Sequence, residues 1–392
     1  MISSGNENME LLRVLQLGMH ERGSGGGVDH FFWDLFDQLS TFPDLSLSAF
    51  FFCHRSTAVE KRSGEFYLGS TSLSGSRRLW NLRRAVLAKL AETSNAKSTL
   101  VVSHFAFYAS ALLPRLARLK HVVHFQGPWA TESAVEERDG LNVMLKRVIE
   151  RAVYSSANAF VTLSHAFREL LIAEYKVRSE LVHVIPPAVD LRRFTLGDRQ
   201  EARERLAWPQ EATILLCVRR LARRMGLEIL IEAFKQVADA HPRTMLFFGG
   251  TGALRDELAA KIADKGLAER VRLLGFIPED CLATAYQAAD LSIMPTQSLE
   301  GFGLSTLESL ACGTPVLVTP VGGLPEAVSQ LDPKLVLRDK DSGAIAEWLD
   351  RFLGGKLSLT PPEECRKYVE INFAWPIIAQ RVKSLYWQVV NE

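Results

Sequence analysis

Short apolar runs alternate with longer amphipathic segments along almost the whole chain. Runs rich in Val, Ile, Leu and Phe, separated by helical patterns, predict parallel sheets built from βαβ units and therefore an α/β fold. In the first half, the strands are predicted at 12–17, 47–52, 99–103, 121–125, 159–163 and 181–185. In the second half, they are predicted at 214–218, 245–248, 271–273, 291–294 and 316–319.

The segment between the two series indicates a domain boundary. Pro186 and Pro187 stop regular structure, and the charged stretch 198–205 predicts a solvated surface helix. We therefore predict two Rossmann-like, doubly wound domains facing each other across a cleft. They comprise residues 1–190 and 191–374, with a C-terminal helix over 375–392 packing back on the first domain. The active site is expected between them.

Composition narrows the function classes. The 392 residues are 47% hydrophobic and 23% charged, which suits two globular cores, and the net charge of +1 disfavours nucleic acid as a partner. Five scattered cysteines without Cys-x-x-Cys spacing indicate reduced thiols and no zinc site. No basic, apolar leader and no apolar run of bilayer length is present, so we expect a cytoplasmic protein, and any membrane contact must be peripheral, at the inner face.

The segment 290–319 is the most informative, because it predicts a strand, a loop, a helix and a second strand. Gly301 and Gly303 have no side chains at these two positions of the loop. Backbone N–H groups and the helix dipole can therefore face a diphosphate there. Glu300 and Glu308 are unfavourable beside phosphate unless they bind hydroxyl groups of a sugar or ribose. Together they indicate a nucleotide-sugar site, the alternative being solvent-facing carboxylates.

The motif Glu-Gly-Phe-Gly-Leu-x-x-x-Glu at 300–308, with the matching segments 275–278, 311–316, 321–326 and 373–376, resembles the retaining glycosyltransferases of family 4. The resemblance implies the GT-B architecture. It also implies that Glu300 approaches the donor sugar and that Glu308 holds the ribose. Further donor contacts are implied, in part through the backbone, for Phe276, Gly301, Phe302, Gly303 and Leu304.

The reaction implied by this resemblance is transfer of a hexose unit from a nucleoside diphosphate sugar, UDP by default, to an acceptor hydroxyl with retention. Glycan, polysaccharide or glycolipid synthesis is the expected context, with a lipid-linked molecule as one candidate acceptor. Neither a metal nor a cofactor is expected, because no Asp-x-Asp pair stands beside the phosphate site. The alternatives are a nucleotide-sugar epimerase, a sugar phosphorylase or a non-catalytic binding homologue on the same fold.

A cluster of cations follows the first strand of the second domain. Family members commonly have Gly-Arg-Leu and then Lys-Gly, whose arginine and lysine grip the diphosphate, and this assigns Arg220 to that role. Met225 stands at the lysine position, so Arg224 is the candidate replacement. The side chains of Arg219 and Arg223 could either lie in the cleft or face solvent at the start of a helix, and the sequence does not decide between these positions.

A glycine-rich loop over 23–27 joins the first strand to the first helix. It does not match the dinucleotide pattern Gly-x-Gly-x-x-Gly, and no acid for a ribose ends the second strand, so a nicotinamide enzyme is disfavoured. The resemblance implies that Gly26 and Gly27 let the loop approach the donor phosphate and the acceptor. A plain tight turn is the alternative.

The strand ending near Gln126 supplies the remaining candidates. Many relatives of the family have a histidine at the place of Gln126. A glutamine can orient the sugar by a hydrogen bond, but unlike a histidine it cannot take a proton at neutral pH. His124 precedes Gln126 by two residues, so the two side chains share one face of the strand. His124 is therefore either a site residue or a core residue.

Cations and apolar residues are mixed at helical spacing over 77–89, which is typical of an anionic lipid contact or of a solvated helix with one core face.

Overall fold

Two parallel sheets, one in each half of the chain, form the framework. The computed structural model describes residues 11–22, 27–54, 62–92, 99–136 and 140–392. In these residues the first sheet has seven strands in the order β3-β2-β1-β4-β5-β6-β7, and the second has five in the order β10-β9-β8-β11-β12. The first sheet comprises β1 (Leu12–His20), β2 (Leu45–Cys53), β3 (Glu65–Ser70), β4 (Thr99–Ser103), β5 (Lys120–Phe125), β6 (Ala159–Thr162) and β7 (Val182–Val184). The second comprises β8 (Thr213–Val218), β9 (Thr244–Gly249), β10 (Val271–Gly275), β11 (Leu291–Met294) and β12 (Val316–Val318).

Helices connect the strands and cover both faces of each sheet. Those of the first half are α1 (Gly27–Leu39), α2 (Gly75–Ala91), α3 (Ala106–Ala109), α4 (Leu113–Leu116), α5 (Trp129–Glu136), α6 (Gly140–Tyr154) and α7 (His165–Tyr175). Those of the second half are α8 (Arg199–Leu206), α9 (Leu227–Ala238), α10 (Arg255–Asp264), α11 (Glu279–Ala288), α12 (Leu304–Ala311), α13 (Leu324–Val328), α14 (Ser342–Leu353), α15 (Pro362–Asn372) and α16 (Trp375–Asn391). None of the helices in the described ranges is long and apolar enough to span a bilayer.

The strand pattern follows from burial. All five residues of β4 are buried, because a central parallel strand is covered by helices on both faces. In α9, one apolar stripe that includes Leu230, Ile231 and Phe234 faces the sheet, while Glu232 and Lys235 stay on the outer side. The α/β prediction with two doubly wound domains is confirmed.

The last helix belongs spatially to the first sheet. Ala374 bridges to Val189, and α16 then crosses to pack on α1, β4 and β5. Its buried face joins the core cluster of the first domain through Ile378, Val382 and Tyr386. Side chains from the end of the chain therefore lie under strands that end at the cleft.

The two domains touch along one edge of the cleft. The Glu326 carboxylate accepts hydrogen bonds from the backbone N–H groups of His165 (2.8 Å) and Ala166 (2.9 Å) at the start of α7. A Cβ at Gly323 would lie 2.2 Å from the carbonyl oxygen of Gly301 and 2.7 Å from Cβ of Ser164. This close approach requires glycine and joins the 300–303 loop to the first domain.

Candidate functional site

The second-domain wall of the cleft is built around an ion pair between Arg219 and Glu300. Arg219 follows β8, and its guanidinium donates to the Glu300 carboxylate and to Thr296 Oγ1, the latter at 3.0 Å. The side chains are 7% and 14% exposed, respectively, so water screens the pair weakly. The guanidinium also lies 2.8 Å from the sulfur of Met225. The solvated interpretation of Arg219 is therefore wrong.

Arg224 holds the loop that presents Glu300. Its Nη1 donates to the carbonyl oxygen of Leu299 at 2.7 Å, and Leu299 has a left-handed backbone with φ of 54°. Such a conformation is unfavourable for a leucine and persists because the surroundings fix it. On its other side, Nη2 of Arg224 lies 3.6 Å from Glu132 of α5, across the cleft. This geometry assigns Arg224 to positioning the loop and bridging the domains.

The N-terminus of α12 faces the same loop. Gly303 precedes the helix with φ of 81°, and Leu304 begins it, so its first backbone N–H groups lack helical partners. Glu308, one turn further, accepts a hydrogen bond from the Tyr286 hydroxyl at 3.0 Å. Burial raises the pKa of Glu308 to about 7, although the Tyr286 hydrogen bond lowers it. One carboxylate oxygen is engaged by Tyr286, which leaves the other available to a ligand hydroxyl.

Arg220 lies beside this cluster and is exposed. In the described part of the chain, its guanidinium has no protein partner. Arg223 is 58% exposed and pairs with Glu257 at 2.9 Å, away from Glu300. Arg220 is thus available to an anion, whereas Arg223 lies in the solvated arrangement.

The first-domain wall presents Gln126 directly after β5. Its side-chain Nε2 is buried and has no hydrogen-bond partner among the described residues. An unsatisfied buried donor is unfavourable in the free protein, which is consistent with a ligand as its partner. Gly27 begins α1 and a Cβ there would meet nothing within 4 Å, so no protein contact requires the glycine. Gly26 lies outside the described residues, and the role of both glycines stays a prediction.

His124 is a core residue, so its assignment to the site is corrected. Its side chain is in a buried cluster at 1% exposure, where Nε2 lies 2.8 Å from the Tyr386 hydroxyl and the ring stacks on His104 at 4.5 Å. Burial lowers the pKa of His124 to about 3, so the ring stays neutral. The sequence did not reveal this because Tyr386 is 262 residues away.

Two phenylalanines of the predicted donor site differ in placement. Phe302 is 4% exposed and packs on Phe373 with ring centroids 5.5 Å apart, so its side chain belongs to the core and only its backbone can reach a ligand. The donor contact of Phe302 therefore stays a prediction for its backbone. Phe276 follows β10 and is 69% exposed, and its donor contact stays a prediction.

Sequence reasoning missed the partners that hold the charged groups. Tyr286 on α11 supports Glu308, and Glu132 on α5 faces Arg224. A role for Arg219 in the site could have been predicted from the sequence, because Arg219 directly precedes Arg220 at the end of a strand. Among the described residues, no group of three or more His, Cys, Asp or Glu side chains could hold a metal ion.

Comparisons with known proteins agree with this geometry. Residues 48–193 match the family model described as Glycosyltransferase Family 4, and residues 198–371 match the model described as Glycosyl transferases group 1. A D-inositol 3-phosphate glycosyltransferase of Catenulispora acidiphila is 34% identical over 251 residues, which are 62% of this chain and 60% of that protein. The mannosylfructose-phosphate synthase of Agrobacterium fabrum is 29% identical over 252 residues, 60% of this chain and 54% of that one. The chain thus spans under two thirds of these relatives.

Solved structures share the whole architecture. Sucrose-phosphate synthase from Thermosynechococcus elongatus superposes with a TM-score of 0.80 at 22% identity, covering 96% of this chain and 99% of that one. HepE of Anabaena, in complex with UDP and glucose, gives a TM-score of 0.76 at 19% identity and covers 96% and 100% of the two chains. At these identities the likeness establishes the fold, with one domain on each side of a cleft.

Proposed function

This chain belongs to the family 4 glycosyltransferases of GT-B architecture, and on that premise we propose that it transfers a sugar from a nucleoside diphosphate sugar to an acceptor hydroxyl. The observation that carries the proposal is the convergence of Arg219, Glu300 and the N-terminus of α12 at the cleft, with Glu308 one turn away. Cations and backbone N–H groups suit a diphosphate, and carboxylates suit sugar and ribose hydroxyls.

Each group has a part in the reaction. The bond between the anomeric carbon and the diphosphate oxygen breaks, and that oxygen keeps the electron pair. Arg220 and the α12 N-terminus stabilise the charge that develops on the leaving group. Glu300 stabilises the positive charge on the sugar, and Glu308 accepts from the ribose. The acceptor oxygen attacks the same face while its proton passes to the departing phosphate, which gives retention without a protein nucleophile.

Arg219 supplies, in this proposal, the second cation of the diphosphate site. It stands where the family motif has glycine, and Met225 stands where the motif has lysine. The guanidinium of Arg219 reaches the sulfur of Met225, so the positive charge lies where a lysine side chain would run. Arg224 is an inferior candidate because it is committed to the Leu299 carbonyl.

An exchange of residues tests this assignment. We expect Arg219→Gly to weaken nucleoside diphosphate binding and Met225→Lys in the same chain to restore it, as measured by calorimetric titration. Arg219→Lys controls for the loss of a partner for half-buried Glu300, since it keeps the charge. No rescue by Met225→Lys, with the fold intact by circular dichroism, would contradict the assignment.

The proposed function itself is tested with a donor panel. UDP, GDP and ADP sugars are first screened by thermal shift, since a specific ligand raises the melting temperature. The stabilising donor is then incubated with hydroxyl acceptors, and transfer is followed by nucleotide release. We expect transfer to be unchanged by EDTA, because Arg219, Arg220 and the helix N-terminus handle the leaving charge. A strict manganese or magnesium requirement would contradict that part.

The alternatives give different outcomes in the same assay. An epimerase would interconvert the donor sugar without an acceptor, and a phosphorylase would release or form sugar phosphate only with inorganic phosphate. A non-catalytic homologue would bind the donor without turnover. UDP stays the default donor nucleotide, and the acceptor is a hydroxyl compound in glycan, polysaccharide or glycolipid synthesis.

A further inference from the structure

Helix α6 carries an apolar stripe that no part of the described chain covers. Leu141, Met144, Leu145 and Val148 are 84%, 68%, 59% and 56% exposed. Their spacing of three and four residues places them on one face of the helix, while Val153 and Tyr154 anchor its far end in the core. Four large apolar side chains in one exposed row mark an interaction surface, whereas single exposed residues do not.

Exposed arginines flank this stripe on α6 and lie on helices of the same side of the sheet. Arg147 and Arg151 are exposed on α6 itself, and the helix's one carboxylate, Glu150, is fully buried. Helix α4, which contacts α6, and helix α2, on the same side of the sheet, contain no Asp or Glu. Their exposed cations are Arg77, Arg84 and Arg115. The carboxylate of Glu132 on adjacent α5 faces Arg224 in the cleft.

Trp80 of α2 is a further exposed aromatic side chain on this side of the sheet. It is 53% exposed, and the guanidinium groups of Arg77 and Arg84 lie 5.8 and 5.5 Å from the centroid of its ring. An exposed tryptophan beside arginines is typical of a membrane–water interface, where the ring sits among the headgroups. We call the α6 stripe together with Arg77, Trp80, Arg84, Arg115, Arg147 and Arg151 the α6 surface.

We propose that the α6 surface docks on an anionic lipid bilayer. The apolar stripe enters the boundary between headgroups and acyl chains, and the flanking arginines face the lipid phosphates. Charge complementarity favours this occupant, because exposed Arg147 and Arg151 flank the apolar side chains on the same helix, whose one carboxylate is buried. A second copy of the chain would instead place the same arginines against each other.

The α6 surface adjoins the acceptor side of the cleft. Lys146 of α6 lies 5.2 Å from the ring centroid of Trp129, which begins α5 three residues after Gln126. A membrane-borne acceptor would therefore reach the cleft over the length of the short helix α5. This consequence rests on the proposed function, whereas the docking itself does not.

Vesicle binding tests the docking without any donor or acceptor. The full chain is sedimented with vesicles of phosphatidylcholine alone and of phosphatidylcholine mixed with phosphatidylglycerol. We expect binding to the mixed vesicles that weakens with added salt. The Leu141→Gln, Met144→Gln, Leu145→Gln triple variant should lose at least about tenfold in partitioning. Arg147→Gln with Arg151→Gln should lose about fivefold per charge.

Matched controls are exposed residues of the same kinds elsewhere. Ile371→Gln with Ile377→Gln removes exposed apolar side chains from α15 and α16, and Arg338→Gln removes an exposed cation. These variants should bind vesicles like the unaltered chain. Failure of the unaltered chain to bind mixed vesicles, or equal binding by the α6 variants, would overturn the proposal. A dimer that dissociates in the triple variant would also overturn it. Each of these three results leaves donor binding, and hence the proposed function, to its own test.

Discussion

The two walls of the cleft differ in how their polar groups are satisfied. On the second-domain wall, Glu300 is paired with Arg219 and Glu308 is held by Tyr286. On the first-domain wall, the buried Nε2 of Gln126 has no partner among the residues that the structure describes, and the side chain of His124 lies in the core. Under the proposed function, donor chemistry resides on preorganised charges, whereas the opposite wall offers neutral hydrogen-bonding groups. Changes to the second-domain wall should affect catalysis through charge, and changes to the first-domain wall should act through orientation or stability.

The largest effect is expected from Glu300→Gln. Loss of a charge placed against a developing cation costs roughly 3 to 4 kcal/mol, or about 10²- to 10³-fold in rate. The transfer rate is measured under saturating donor, with circular dichroism to confirm folding. Glu257→Gln, at the exposed ion pair with Arg223, serves as the control. A fully active Glu300→Gln would show that the site is misplaced.

His124 should act on stability and not on chemistry. Its pKa of about 3 in the fold lies below the unfolded value of 6.5, so the stability it contributes above pH 6.5 is lost as the pH falls. At about pH 5 the loss is roughly 2 kcal/mol, and it should be absent in His124→Gln. Urea unfolding at two pH values measures this, with exposed His165→Gln as the control. An unchanged pH dependence in His124→Gln would contradict the buried, neutral ring.

Gln126 should have a smaller effect that sharpens the contrast between the walls. Loss of one hydrogen bond to the donor sugar in Gln126→Ala should lower the transfer rate about tenfold. Gln126→His restores a hydrogen-bonding side chain, the histidine that is usual in the family, and this variant should stay active. The rates are compared at saturating donor. If Gln126→Ala were as inactive as Glu300→Gln, the first-domain wall would hold a catalytic group.

The smallest effect is a pH dependence at Glu308. Its pKa of about 7 means that the carboxylate, the better acceptor for ribose hydroxyls, forms as the pH rises through 7. Nucleoside diphosphate affinity should therefore tighten a few-fold between about pH 6 and about pH 8. In Glu308→Gln this component of the pH dependence should be absent. Identical pH profiles for the two proteins would contradict a role of this carboxylate.

The strands and the donor motif could be predicted because their causes are local. Predicted strands at 99–103 and 291–294 match β4 and β11, and the others differ by three residues or fewer at each end. The edge strand β3 was missed, since Glu65–Ser70 mixes polar and apolar residues without a buried run. Because β3 lies at the edge of the sheet that the structure describes and pairs there only with β2, its residues need not all be buried.

The site residues that sequence missed depend on distant contacts. Whether Arg219 or Arg220 turns inward is decided by Thr296 and Glu300 on a loop more than 70 residues later. The burial of His124 depends on α16 crossing back to the first sheet. Neither contact leaves a periodic pattern near the residue that it fixes.

Calorimetric titration of UDP, GDP and ADP tests the central claim that the second-domain wall binds a donor diphosphate. We predict that one of them binds the unaltered chain and that Arg220→Ala weakens it about tenfold or more, because a charge-assisted hydrogen bond to phosphate is lost. Arg223→Ala, at the neighbouring exposed cation, should bind normally. The claim would be contradicted if none of the three bound, or if Arg220→Ala bound as tightly as Arg223→Ala.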